Sequence, residues 1–87
     1  MGRYRAVVAP TFLEDLTSWV KNDRKVALRL MRLMDAALRN PFEGEGKPEP
    51  LKGLGSSYWS RRITEEHRLV YEVSGDEVRF LQGHYHY

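Results

Sequence analysis

The sequence contains no cysteine. That excludes a disulfide framework and a thiolate metal centre, and a reducing cytoplasm is the compartment expected for such a chain. It also lacks any apolar run approaching the length of a membrane span. The first ten residues lack the apolar core of a signal peptide. Excess charge of either sign is small, with a net charge of +2 and an isoelectric point near 9.1. Such a balance permits a polyanionic partner without demanding one, so the placement of the charges matters more than their sum. No internal repeat, low-complexity tract or linker is present, and residues 1–87 read as one domain. An apolar fraction of 41% is globular and sufficient for a small core.

Proline and glycine are scarce but gathered. Four of the seven glycines and three of the four prolines fall within residues 41–57. That segment is expected to be a loop, and loops of such length are usually functional or disordered. Before it, Tyr4–Val8 reads as a short strand ending at Pro10. Thr11-Phe12-Leu13-Glu14 has the form of a capping box opening a helix. Phe12, Leu13, Leu16, Trp19 and Val20 follow at helical spacing. Asn22 or Asp23 caps a second helix, whose apolar stripe is Val26, Leu30, Leu33, Ala37 and Leu38. Asn40-Pro41 ends it.

After the loop the period changes to two. Tyr58–Ile63, His67–Val73 and Val78–His84 are predicted strands. The expected fold is α+β, in the order β-α-α-β-β-β, with two N-terminal helices packed on a twisted antiparallel sheet. Alternation places Trp59 and Ile63 on the core face, with His67, Leu69, Tyr71 and Val73. Joining the first two of these strands through the three-residue turn Thr64-Glu65-Glu66 sets Arg62 directly across from Arg68. An opposed like-charge pair destabilises a sheet, so an anion is expected to offset it. Phosphate is the natural candidate, because guanidinium binds it bidentately. A two-residue turn at Gly75-Asp76 pairs Glu72 with Arg79.

Acid, base and phosphate-binding groups are dense in residues 47–68. Arg62 and Arg68 form the candidate phosphate clamp. Glu49, held between two prolines, is a candidate general base. Glu66 sits in the turn beside the clamp, where it either orients an arginine or is a plain turn carboxylate. Lys47 and Lys52 flank Glu49 as phosphate contacts or as solvated charges. Arg61 falls on the core side, as a structural residue or a peripheral RNA contact. His67, on the apolar face, reads as a packed core histidine. His84 and His86 lack the further ligands of a usual zinc set. His86 suits a general acid, since imidazole titrates near pH ~6.5. Tyr85 and Tyr87 are candidates for stacking on bases or for supplying a hydroxyl. Alternation puts these tyrosines, and not His86, on the arginine face, so His86 reaches the site only if the terminus leaves the strand.

The strings Pro41-Phe42-Glu43-Gly44, Gly46-Lys47-Pro48-Glu49-Pro50-Leu51-Lys52, Trp59 through Tyr71 and the terminal His86-Tyr87 carry a resemblance. On them the chain resembles the YoeB/Txe toxins of bacterial toxin–antitoxin modules, within the RelE-like superfamily. The resemblance implies a RelE-like, microbial-RNase-like fold. It implies a ribosome-dependent endoribonuclease cutting mRNA in the A site without a metal or other cofactor. It assigns Glu49 as base, Arg62 and Arg68 to the phosphate, His86 as acid and Tyr87 to RNA positioning, with Lys52 and Glu66 in support. It implies a YefM/Phd-type antitoxin as partner, with a homodimer and antitoxin-mediated contact to operator DNA as further assemblies. Gly53-Leu54-Gly55-Ser56-Ser57 departs from the family's usual Leu-Ser-Gly turn. Two other classes compete: a non-catalytic RNA- or ribosome-binding module, and an interaction subunit acting chiefly through an antitoxin.

Overall fold

The computed structural model describes residues 3–53, 55 and 57–86, and the side chain of His86 lies outside the described part. Strand β1 spans Arg5–Val8, helix α1 Pro10–Asn22 and helix α2 Arg24–Arg39. Strands β2 (Glu49–Pro50), β3 (Tyr58–Arg62), β4 (His67–Ser74) and β5 (Glu77–His86) follow. The five strands form one sheet in the order β1-β5-β4-β3-β2. The α+β arrangement is the one expected. One sheet edge differs in sense, because β1 runs parallel to β5 and the sheet is therefore mixed.

The expected capping box does not form. Helix α1 begins two residues earlier than a Thr11 cap would set it, at Pro10, after an extended Ala9 that makes no side-chain cap. Proline at the first helical position has its φ pre-set and lacks only an N–H that would have no partner there. Ala9 is meanwhile held in the sheet by donating to the Phe80 carbonyl at 3.0 Å. At the other end, Asp23 serves both helices. Its N–H donates to the Trp19 carbonyl at 2.7 Å, and its carboxylate accepts from Val26 N at 3.4 Å. One residue thus both ends the first helix and caps the second.

The helices lay Phe12, Leu30, Leu33 and Ala37 on Ile63, Leu69, Tyr71, Val78 and Phe80 of the sheet, all buried. The opposite sheet face is not open throughout, since Leu51, Ser60 and Val70 are buried as well. Two contacts fix the last strand to α1. The Trp19 indole donates to the Gly83 carbonyl at 2.8 Å, and the Gly83 N–H donates to Asp15 at 2.9 Å. A Cβ on Gly83 would stand 2.8 Å from Leu30 Cδ2 and 3.2 Å from Phe12 Cε1, so only glycine lets β5 lie this close.

Candidate functional site

The site is built on the sheet face away from the helices. Strand β3 pairs with β4 in the predicted register, with Arg62 across from Arg68 and Ser60 across from Val70. The turn between them is tied by Thr64, whose hydroxyl oxygen accepts from Glu66 N at 3.1 Å and His67 N at 3.0 Å. The Glu72–Arg79 cross-strand pair also forms, at 3.7 Å.

The expected loop contains a two-residue strand. Glu49 and Pro50 pair with Ser60 and Trp59. Two residues are too few to give a period-two signal, which is why composition pointed to loop alone. Gly46 prepares this edge: its carbonyl accepts from Arg62 N at 2.7 Å, and its φ is +88°. A Cβ there would lie 2.9 Å from Leu33 Cδ2, so the close approach requires glycine.

Pairing Glu49 with Ser60 carries the carboxylate onto the arginine face. Arg68 Nη1 donates to Glu49 Oε2 at 3.1 Å and reaches Ser60 Oγ at 3.4 Å. The Arg68 side chain is 13% exposed and that of Glu49 48% exposed. The cation is therefore sunk in the face while the carboxylate stands at its rim. Arg62 is exposed beside them. Leu51 and Val70 give this face an apolar floor, which strengthens the field of the charges above it. Glu49 contacts one of the two opposed guanidiniums, and Lys47 and Lys52 are both exposed on the flanking segments. The geometry suits an anion held by guanidinium beside a carboxylate able to take a proton.

The other predicted residues divide. Tyr85 is half-buried and pairs across from Arg68, as alternation implied. Strand β5 carries two register shifts on the way, one at Leu81 and one at Gly83-His84. Each adds a residue to β5, and the two cancel in parity. The strand also runs past the expected His84 limit, so the His86 backbone pairs with His67. The His86 side chain and Tyr87 lie outside the described residues. Glu66 is exposed in the turn. His67 is half-buried, with its ring 5.1 Å from Trp19 and 4.2 Å from His84.

Arg61 is a core residue, fully buried. Its guanidinium donates to Tyr71 Oη at 3.0 Å and to the carbonyls of Asn40, Glu43 and Glu45 at 2.5, 3.0 and 2.8 Å. The peripheral RNA contact considered for it is excluded in this structure by burial. These acceptors are neutral and include the C-terminal end of α2, where the helix dipole favours a cation. Burial raises the pKa of the Tyr71 phenol, opposed by its hydrogen bond with Arg61. The same loop is tied from outside by Glu45, which accepts from Arg32 at 2.8 Å and from Arg29 at 3.1 Å. The hydrogen bond from Arg32 is the chief reason the Glu45 pKa is lowered. Sequence reasoning missed Ser60 as a member of the site; its place across from Glu49 could be found only once β2 was known.

Residues 8–87 match the family described as the YoeB-like toxin of bacterial type II toxin–antitoxin systems. The chain belongs to that family. Among YoeB-like toxins, it is 54% identical over 78 residues to Toxin YoeB of Mycobacterium bovis, covering 90% of this chain and 92% of that one. Its fold is similar to the YoeB dimer from Staphylococcus aureus, with a TM-score of 0.88 and 38% identity over 99% of this chain and 100% of that one. It is also similar to a chain of the heterotetrameric YoeB-YefM toxin–antitoxin complex from the same organism, with a TM-score of 0.83 and 38% identity over the same shares. Among the described residues of this YoeB-like toxin, no group of three or more His, Asp or Glu side chains is gathered as a metal site. No helix in the described part is long and apolar enough to cross a membrane.

Proposed function

We propose that this protein is a ribosome-dependent endoribonuclease that cleaves mRNA in the A site by acid–base chemistry needing no metal. The observation that carries the reading is the Glu49–Arg68 contact of 3.1 Å on the face where Arg62 opposes Arg68. RNA brings its own nucleophile, the 2′-hydroxyl. Glu49 takes its proton, and the oxygen attacks the adjacent phosphorus. Arg62 and Arg68 stabilise the charge that builds on the phosphoryl oxygens. His86 protonates the departing 5′-oxygen. Tyr87, Tyr85, Lys47 and Lys52 position the RNA, Glu66 supports the clamp, and Arg61 serves it from the core by holding the loop. Residues 1–87 act as one toxin domain in the cytoplasm. A YefM/Phd-type antitoxin silences it, with which it co-represses its operon on operator DNA, and a homodimer is a further assembly.

A second reading, a non-catalytic RNA- or antitoxin-binding module, draws on the terminal register. Tyr85, and not His86, stands across from Arg68. The two readings separate in a cleavage assay on programmed ribosomes. The nuclease yields a 2′,3′-cyclic or 3′-phosphate on one fragment and a 5′-hydroxyl on the other. Absence of cleavage supports the binding module, and 5′-phosphate ends would indicate an activated water in place of the 2′-hydroxyl.

A further inference from the structure

Ser60 combines two properties that an ordinary small strand residue does not need to combine. It is fully buried, and its hydroxyl lies within 3.4 Å of Arg68 Nη1, the nitrogen that also contacts Glu49. Its strand position lies between Glu49 on one side and Val70 on the other. A buried hydroxyl without a partner is unfavourable, and here the partner is the cation of the site.

We propose that Ser60 is a positioning residue that holds the Arg68 guanidinium in place when Glu49 lets go of it. This rests on reading Glu49 as the base and Arg68 as the phosphate ligand. A guanidinium nitrogen such as Nη1 carries two N–H groups, enough for Glu49 and Ser60 together. As Glu49 turns to the 2′-hydroxyl, Arg68 loses that tie. Once Glu49 has taken the proton it is neutral, and its pull on Arg68 falls while the phosphoryl charge is rising. Ser60 is neutral throughout. It orients the guanidinium without competing with the phosphate for its charge, and its grip does not depend on the protonation state of Glu49. Among the described residues, the surrounding groups include Arg62 from β3, Arg68 from β4, Tyr85 from β5 and the flanking Lys47 and Lys52. Among these, Ser60 supplies a neutral, buried oxygen beside the Arg68 nitrogen that Glu49 also uses.

The test is single-turnover cleavage on programmed ribosomes by Ser60→Ala, Arg68→Ala and the double variant, with circular dichroism as folding control. Ser60→Ala is expected to lower the maximal rate about tenfold, the rate equivalent of one hydrogen bond. The half-saturating ribosome concentration should move by less than about twofold, since ground-state binding is unchanged. In the Arg68→Ala background, Ser60→Ala should cost less than about twofold, because the two residues act as one unit. A wild-type rate in Ser60→Ala, or the same loss in both backgrounds, overturns the proposal. Should Ser60→Ala fold poorly, Ser60→Cys keeps the size with a much weaker acceptor, and its full activity overturns the proposal equally. Undiminished cleavage by Arg68→Ala or Glu49→Gln would instead overturn the reading of the site itself, whatever Ser60 does.

Discussion

Two adjacent arginines show how one residue's neighbours decide its work. Arg61 points into the core and binds the Tyr71 hydroxyl and the carbonyls of Asn40, Glu43 and Glu45. Arg62 stands exposed on the far face, opposite Arg68. Arg61→Ala should destabilise the fold by about 3 kcal/mol or more, because several buried acceptors lose their donor. Arg68→Ala should lower the melting temperature much less than Arg61→Ala does and slow cleavage ~10²–10³-fold, the usual loss for a group that stabilises transition-state charge. Thermal melts and single-turnover rates on both variants check this; equal, mild rate losses with unchanged melts would refute the division. Alternation in the sequence separated the two arginines correctly. It did not reveal that Arg61 is bound by neutral oxygens, since backbone carbonyls of a loop leave no trace in residue identity. Glu45 gives a pH test of the same loop. Its pKa is lowered by Arg32 first and then by further pairing with Arg32 and Arg29. A carboxylate with a lowered folded pKa stabilises above its unfolded pKa, and that contribution disappears as pH falls through the folded value. The melting temperature should therefore drop as pH falls below about 4.3, and Glu45→Gln should flatten that part of the profile.

Among the elements, β5 joins core and site. Its first half supplies Val78 and Phe80 to the core, and its far end sets Tyr85 across from Arg68. Between them Gly83 is clasped by Asp15 and Trp19 of α1. Gly83→Ala forces a Cβ to 2.8 Å from Leu30 Cδ2. It should cost about 1–3 kcal/mol by overpacking and lower cleavage at temperatures where the protein is still folded, as the strand end shifts away from Arg68. Thermal melts and rates at 25 °C measure both effects; a wild-type melt would show that the helices yield without strain. Deleting residues 86–87 should do the reverse, abolishing cleavage with little change in the melt, since among the described residues the last buried position of β5 is Gly83. Full activity of the truncated protein would move the proton donor elsewhere. The long elements were legible because helical and period-two patterns persist over many residues. Strand β2 was not, being two residues long, and the helix start was misplaced because the proline rule outweighs a capping box whose cap lies two residues later. The position of Tyr85 was legible only because two bulges cancel in parity.

At the scale of the molecule, a few cations are set close to one carboxylate. The sheet surface away from the helices gathers Arg62, Arg68 and the neighbouring Lys47 and Lys52 against Glu49, although the whole chain carries a net charge of only +2. With extents of 33 × 30 × 23 Å, the molecule has little bulk with which to cover such a face from within. Silencing it is more economically done from outside, by a partner whose charge opposes it. Desolvated counter-charges also set specificity and speed association. The antitoxin's contacting segment is therefore expected to be acidic and to place a carboxylate or an apolar helix over Arg62 and Arg68. Charge reversal by Arg62→Glu should weaken antitoxin binding at least about tenfold at moderate salt, and the deficit should shrink as ionic strength rises. Charge reversal on the outer helix surface, for example Lys25→Glu, should change binding far less. Calorimetry of both variants against the intact antitoxin, with crosslinking to locate the covered residues, gives the answer. Crosslinks confined to the outer faces of α1 and α2, with full affinity in Arg62→Glu, would mean that the antitoxin inhibits from a distance and leaves the arginines open.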